Sequence, residues 1–197
     1  VVSPAGGYGV ICADYIETPD QRAALQMARL LPETEQRIRE ATFPFASCHN
    51  PVDITASASS AMYGGAMEAI LADPGVDILI CLVFWSPPGI ENDLLDIIAT
   101  RVQNSEKPVL IFTTYGPFTD KYLLEFWKRD VVGFPSLKRT VEAARFLVDR
   151  QEMLAVYDEE SARENIRPTP GNHVTEKRTV LETWCSTLRH PGKPDEY

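Results

Sequence analysis

Three short runs of apolar residues, each bounded by residues that break regular structure, organise the sequence. The longest, residues 76–84 (VDILICLVF), is apolar almost throughout rather than alternating. A strand that is covered by helices on both faces requires this pattern, so we predict a central buried strand here. The runs at residues 107–113 (KPVLIFT) and 131–135 (VVGFP) predict two further strands.

Helical periodicity fills the segments between these strands. Apolar residues recur at every fourth position from Ile90 to Val102, which places them on one face of a helix. Four more helices are predicted over residues 34–40, 60–72, 120–129 and 136–153. Ser59 or Ser60 is the predicted N-cap of the second of these.

The amino-terminal segment predicts the end of a strand, a glycine turn and a helix. Val1 and Val2 lead into residues 3–9 (SPAGGYG), and the apolar residues that follow predict a helix from about Val10. Residues 50–55 (NPVDIT) are expected to be extended, because proline disfavours a helical conformation in the residue before it. Since the chain does not begin with Met, we expect it to be an excised piece of a longer protein.

The alternation of strands and helices predicts an α/β fold with three layers. Short connections between such elements produce right-handed crossovers, a mostly parallel sheet and helices on both of its faces, as in flavodoxin-like proteins. We assign residues 1–155 to this domain. Residues 156–197 are charged and interrupted by proline, and we predict an extended arm or interdomain linker there.

Composition excludes several classes of function. The 19 Lys and Arg against 28 Asp and Glu give a net charge of −9, which disfavours binding to nucleic acid. The longest apolar run is far shorter than the ~20 residues of a membrane-spanning helix, and no targeting peptide is apparent, so we expect a cytoplasmic protein. Cys12, Cys48, Cys81 and Cys185 form no C-x-x-C pair, which predicts reduced, buried thiols and no metal site.

The best candidate site is the glycine turn. Ligands of open parallel sheets bind beyond the carboxyl ends of the strands, where the turn is predicted to lie. Gly6, Gly7 and Gly9 open a helix, so the backbone amides from Ala5 to Gly9 could hold a phosphate at the positive end of the helix dipole. Glycines equally suit a tight turn with close helix packing, and the spacing alone leaves both interpretations open.

Further residues are predicted to line the same edge. They are Asn50, Asp53, Ser86, Pro87 and Gly89. Asp53 could cap nearby amides or face the site, and capping is the favoured role. The dinucleotide fingerprint fails because Cys12 takes the place of its last glycine, and the chain has no P-loop motif. We predict no catalytic side chain in this chain.

A series of motifs resembles one enzyme family. In order they are SPAGGYGVICADYIE, LPETEQRIRE, FASCHNPVDITASAS, YGGAMEAILADPGVDILICLVF, KPVLIFTTYG and VVGFPSLKRTVEAARFL. This succession resembles the CoA-ligase domain that follows the catalytic-histidine domain in NDP-forming (ADP-forming) acyl-CoA synthetases, such as acetate-CoA ligases. It is distantly similar to the CoA-ligase domain of the succinyl-CoA synthetase β subunit. The resemblance covers about residues 1–150.

The resemblance implies part of a ligase that converts a carboxylate, CoA and ATP into acyl-CoA, ADP and phosphate through a phosphohistidine. The helix opened by Gly6, Gly7 and Gly9 would steady the phosphate or phosphohistidine and form an interdomain interface. CoA, ATP or ADP, phosphate and Mg²⁺ are implied for the whole enzyme, not for this domain alone, which is expected to be inactive when isolated. The implied partners are a histidine-bearing CoA-binding domain and an ATP-grasp domain, with a homodimer left open.

Two departures from the family pattern keep other functions open. Ser3 and Pro4 replace the usual Thr-Asn, and proline removes a backbone donor. His49 precedes Asn-Pro where the family has a small polar residue, and we expect it to bond to the backbone. The alternatives are a non-catalytic docking or sensor module of the same fold and an FMN-binding flavodoxin-like protein. The first loop lacks the Ser/Thr-rich cradle expected of the latter.

Overall fold

The computed structural model of the chain describes residues 1–18, 24–114 and 116–163, with side chains through Tyr157. Its strands are β1 (Val2–Ser3), β2 (Val52–Asp53), β3 (Leu79–Val83), β4 (Val109–Thr113) and β5 (Gly133–Phe134). Its helices are α1 (Gly6–Glu17), α2 (Pro32–Ala41), α3 (Ser60–Ala72), α4 (Asp93–Gln103), α5 (Asp120–Lys128) and α6 (Leu137–Arg163). The strands and helices of the described residues thus follow the predicted alternation.

The five strands form one parallel sheet in the order β2-β1-β3-β4-β5. This is the strand order of flavodoxin-like folds, so the predicted class is confirmed. The direction of winding reverses between β1 and β3. The carboxyl ends of these two strands therefore flank the crevice in which such folds bind their ligands.

The central strand β3 is buried along its whole length, as its unbroken apolar pattern predicts. Its side chains alternate between two cores. Leu79, Cys81 and Val83 pack with α3, α4 and α5, while Ile80 and Leu82 pack with α1 and α6. Helices therefore cover both faces of the sheet, and α1 shares its face with α6.

Two adjacent glycines in α3 allow its neighbours to approach closely. A Cβ on Gly65 would lie 2.7 Å from the Cβ of Ala41 in α2. A Cβ on Gly64 would lie 2.7 Å from the Cγ2 of Ile97 in α4. Both distances are shorter than any ordinary carbon contact, so this pair sets the spacing of α2 and α4 on either side of α3.

The ends of two helices differ from the sequence prediction. Helix α1 begins at Gly6, four residues earlier than predicted. Helix α6 runs through residue 155, the predicted domain limit, to Arg163. The chain divides into two compact units, Val1–Glu152 and Met153–Tyr197. Residues 156–163 of the predicted arm are helical, and the rest of the arm lies outside the described residues.

Candidate functional site

The amino end of α1 lies directly after β1, beside the crevice between β1 and β3. Ala5 is the N-cap residue, with extended backbone angles and no side-chain cap. Its carbonyl oxygen accepts hydrogen bonds from the amides of Tyr8 and Gly9, both at 3.1 Å. Its own amide donates to Ser3 Oγ at 3.1 Å. The amides of Ala5, Tyr8 and Gly9, which flank the first two helical residues, are thus all hydrogen-bonded.

The amides of Gly6 and Gly7 are the ones that remain. Within the described part of the chain, no hydrogen bond occupies either of them. Gly7 is exposed, and a Cβ built on it would meet no atom within 4 Å. A helix N-terminus leaves such donors free for capping groups, water or an anion. Two unpaired amides therefore lie at the carboxyl edge of the sheet, and the outer side of Gly7 is open.

Gly9 has a different environment from Gly6 and Gly7. It is buried, its amide is bonded to Ala5, and a Cβ on it would lie 3.3 Å from the Cβ of Pro51. Helix α1 passes close to the residue that precedes β2 at this position. Of the glycines predicted to hold phosphate, the structure thus places Gly6 and Gly7 at the opening, whereas Gly9 provides close packing.

The carboxylate of Asp53 lies against Gly6. The register of the sheet pairs Ser3 with Asp53, which brings the end of β2 beside the start of α1. Asp53 Oδ2 lies 2.7 Å from the position that a Cβ on Gly6 would take, so only glycine leaves room for it. Asp53 Oδ1 accepts the amide of Thr55 at 2.9 Å. Asp53 therefore caps a turn with one oxygen and faces the helix end with the other.

The turn held by Asp53 is strained. Thr55 has φ of 70°, a left-handed conformation that β-branched residues rarely adopt. The hydrogen bond to Asp53 Oδ1 stabilises this conformation. Among the described residues, no Lys, Arg or His forms an ion pair with Asp53.

The other residues predicted to line the site occupy two different places. Asn50 lies before β2. Its Oδ1 accepts a hydrogen bond from the Val1 nitrogen at 2.9 Å, and its Nδ2 donates one to the Ala28 carbonyl at 2.9 Å. It ties the amino-terminal edge of the sheet together. Ser86, Pro87 and Gly89 follow β3 at the carboxyl edge, as predicted.

The loop after β3 packs against the segment that leads into α3. The amide of Ser60 donates to the Gly89 carbonyl at 3.2 Å, and a Cβ on Gly89 would lie 2.9 Å from the Ala58 oxygen. The glycine at this position therefore allows two backbones to approach. Ser86 is an exposed residue of this loop.

Aromatic rings cover the carboxyl ends of β3 and β4. Tyr8, from the first turn of α1, packs on Phe84 and Phe112 with ring centroids 4.8 and 5.8 Å apart. Trp85 is buried and stacks on Tyr122 at 3.8 Å. This packing places Trp85 in the core.

Two buried polar atoms at this edge have no hydrogen-bond partner among the described residues. They are Trp85 Nε1 and Thr113 Oγ1. Trp85 lies just after β3, and Thr113 is the last residue of β4. No sequence motif marks them, because burial of a polar atom without a partner depends on the surrounding fold.

The remaining titratable candidates do not gather at the crevice. His49 is exposed and its Nδ1 lies 2.7 Å from Glu35 Oε1, so it pairs with a side chain rather than with the backbone. Burial raises the pKa of the Cys12 thiol to about 11 and that of Cys81 to about 12. Cys48 is also buried and unpaired, while Cys185 lies outside the described residues.

Neither a metal cluster nor a membrane span is found in the described ranges. No group of three or more His, Cys, Asp or Glu side chains in them is placed to hold a metal ion. None of the helices there combines the length and the apolar character that crossing a membrane requires.

Comparison with known proteins assigns this domain to a family. Residues 1–137 match the model of the Ligase-CoA domain. The chain is 33% identical over 148 residues to the α subunit of an ADP-forming acetate-CoA ligase II from Pyrococcus furiosus. The matched region is 73% of this chain and 31% of that subunit. The chain therefore belongs to the Ligase-CoA domain family, and the resemblance predicted from the sequence is confirmed.

Solved structures agree with this assignment. The crystal structure of PH0766 from Pyrococcus horikoshii OT3 matches this chain with a TM-score of 0.70 at 30% identity. The match covers 77% of this chain and 35% of the PH0766 chain. An apo acetyl-coenzyme A synthetase 1 of Ca. Korarchaeum cryptofilum, described as dinucleotide forming, has a TM-score of 0.65 at 26% identity, covering 77% and 32%. The chain thus spans about a third of the length of the relatives that it matches.

Proposed function

We propose that this chain is the phosphate-steadying and interface-forming domain of an ADP-forming acyl-CoA synthetase. The whole enzyme would join a carboxylate and CoA at the expense of ATP, through a phosphohistidine carried by another domain. This domain would hold the phosphate or the phosphohistidine at the amino end of α1. The observation that carries the proposal is the pair of unoccupied amides on Gly6 and Gly7 beside the crevice.

The proposed role is electrostatic. Backbone amides that already point at an anion stabilise a phosphoryl group without having to reorganise, and a helix end adds about half a positive charge. Pro4 lies before the N-cap residue, outside the helix, so its missing amide is not one of the free donors of the first turn. Membership of the Ligase-CoA domain family supports the assignment of this anion as the phosphoryl group of the reaction.

The outer face of α1 supports the proposed interface. Val10 is 56% exposed and Ile11 45% exposed, and Tyr8 and Tyr15 are partly exposed on the same helix. A helix that is apolar on all sides is normally buried on all sides. We assign this face to the histidine-bearing domain of the same enzyme, which would place the histidine opposite the free amides. The alternative is that a second copy of the chain covers this face. A measurement of the mass of the protein in solution would reveal such a dimer.

Replacing Gly7 with proline is expected to weaken phosphate binding by about tenfold or more while leaving the fold intact. Proline removes the Gly7 amide but is tolerated in the first turn of a helix, and the structure leaves open space at this position. Gly7→Ala is the matched control, because alanine keeps the amide. Calorimetric titration with phosphate should show binding by the wild-type chain and by Gly7→Ala, with a loss of about tenfold or more in Gly7→Pro.

Equal phosphate affinity in Gly7→Pro and Gly7→Ala would contradict this site. Circular dichroism of each variant shows whether the fold is kept. If none of the three proteins binds phosphate, a role as a non-catalytic docking or sensor module explains the chain better.

The isolated chain is expected to produce no acyl-CoA from ATP, CoA and a carboxylate. It would supply one side of the active site, while the histidine and the nucleotide site would lie on other domains. A coupled assay for ADP release with the purified chain tests this division of labour, with the whole enzyme as the positive control. Turnover by the chain alone would contradict it.

A further inference from the structure

Trp85 and Thr113 each bury a polar side-chain atom that lacks a hydrogen bond. Neither the indole Nε1 of Trp85 nor the hydroxyl Oγ1 of Thr113 has a partner in the described part of the chain. Trp85 is 7% exposed and Thr113 is 0% exposed. Leaving a buried polar group unpaired costs free energy, and native proteins satisfy nearly all such groups. Both atoms therefore point to a partner that these residues do not supply.

The two side chains lie on the same face of the sheet. Thr113 ends β4 and pairs with Val83, the last residue of β3. The side chains of paired residues point to the same face, and Val83 faces the core that packs with α3, α4 and α5. Trp85 lies two residues beyond Val83 and belongs to the same core. The unpaired atoms are thus brought together on one side of the carboxyl edge.

The indole of Trp85 extends across the end of β4. Its ring stacks on Tyr122 of α5 with centroids 3.8 Å apart. Helix α5 packs on β5, where Trp127 Nε1 donates to the Gly133 carbonyl at 3.1 Å. Since β4 lies between β3 and β5, a side chain that starts beyond β3 and reaches α5 must pass the end of β4. Thr113 is the residue at that end.

We propose that an ordered water molecule is bound between Trp85 Nε1 and Thr113 Oγ1 as a structural component of the fold. The indole only donates, so the water oxygen accepts its hydrogen. The hydroxyl donates or accepts, so it can bond to the same water in either direction. Two neutral groups do not compensate the charge of an ion, whereas a buried water usually makes about two to four hydrogen bonds to groups of this kind.

The bound water joins the loop after β3 to the end of β4. The far end of this loop is fixed by protein contacts, because the Ser60 amide donates to the Gly89 carbonyl at 3.2 Å. Its near end begins at Trp85, which the water ties to Thr113. Ligands of open parallel sheets bind beyond the carboxyl ends of the strands. The water therefore helps to position a loop at the edge of the sheet where a ligand would lie.

The variant Thr113→Val distinguishes a bridged hydroxyl from an unpaired one. Valine keeps the branched shape of threonine and removes only the hydroxyl. If a water joins the two atoms, this variant deprives the water and the Trp85 donor of their partner, and the equilibrium constant for unfolding should rise about tenfold. If Oγ1 has no partner, the variant removes a costly buried polar group, and the constant should fall instead. The sign of the change thus decides between the two.

Trp85→Phe provides the matched background for this variant. Phenylalanine keeps an aromatic ring at the position and removes the N–H donor. Without that donor the bridge is already broken, so adding Thr113→Val should change the unfolding constant by no more than about threefold. The difference between the two backgrounds measures the coupling of the indole and the hydroxyl.

Urea unfolding of the four proteins and a crystal structure that shows ordered waters together test the inference. A water within about 3.2 Å of both atoms, with a tenfold effect of Thr113→Val in the wild-type background only, supports it. A water bonded to one atom alone, no water, or an indole that donates directly to a protein acceptor overturns it. Equal effects in the two backgrounds also overturn it. A lower unfolding constant in Thr113→Val does so even if Trp85→Phe fails to fold.

Discussion

Replacing Arg145 with methionine is expected to lower the free energy of unfolding by about 3 kcal/mol. Arg145 lies on α6, is 4% exposed, and reaches the last turn of α1. Its Nη2 donates to the carbonyls of Tyr15, Ile16 and Thr18 at 2.9, 3.0 and 2.9 Å. These carbonyls belong to a helix end and its cap, where intrahelical donors are absent and a positive charge is favourable.

Methionine keeps much of the apolar volume of the Arg145 side chain but leaves those carbonyls without their donor. Urea unfolding followed by circular dichroism measures the effect. Arg150→Met is the matched control, because Arg150 is exposed on the same helix, and a surface change should stay within about 0.5 kcal/mol. Equal unfolding midpoints for the two variants would show that Arg145 does not hold α1 against α6.

Replacing Asp73 with asparagine is expected to cost about 2 to 3 kcal/mol at neutral pH. The side chain is buried, and its two oxygens accept the amides of Leu31 at 2.9 Å and Gly75 at 2.8 Å. The carbonyl of the same residue accepts Lys107 Nζ. Asp73 thus joins the start of α2, the end of α3 and the approach to β4. Asparagine retains one acceptor oxygen, so one of the two amides loses its partner.

The effect of Asp73 should depend on pH in a defined direction. Burial alone would raise the pKa of its carboxyl, but the hydrogen bonds from Leu31, Thr34 and Gly75 and the charge of Lys107 together lower this pKa below the usual range of an aspartate. The folded state therefore favours the ionised form. The stabilisation is complete above the unfolded pKa and is lost as the pH falls through the folded pKa.

Chemical unfolding of wild type and Asp73→Asn at a series of pH values tests this dependence. The difference between their free energies of unfolding should be largest near neutrality and shrink below about pH 4. Asp77→Asn, an exposed neighbour, serves as the control and should track the wild type. A difference that stays constant down to the acid limit would contradict the assignment of the lowered pKa to this carboxyl.

The sheet and most helices could be predicted because their pattern is strong and local. Residues 76–84 are apolar except for Asp77, and β3 lies within them with both faces buried. The start of α1 could not be placed from pattern alone. Helix α1 begins at Gly6 because Ser3 Oγ holds the Ala5 amide and Ala5 takes an extended conformation, which are details of individual side chains.

The site was only partly predictable for a related reason. The glycine turn carries a local signal, and Gly6 and Gly7 lie where the sequence placed them. The different role of Gly9 depends on Pro51, which is far away in the chain. The contact between Asp53 and Gly6 follows from the register of β1 and β2, and Asn50 is separated from Asp53 because it precedes the strand that Asp53 ends. Long-range pairing of this kind is not encoded in spacing.

Amide chemical shifts during a phosphate titration test the central claim most directly. In ¹⁵N-labelled chain, the Gly6 and Gly7 signals report on the two unoccupied donors of α1 without any mutation. If the helix end holds phosphate, these two amides should show the largest saturable shifts, with smaller changes at Gly9, whose amide is already bonded to Ala5. Saturable shifts that map to another part of the chain, or no shifts at Gly6 and Gly7, would contradict the claim.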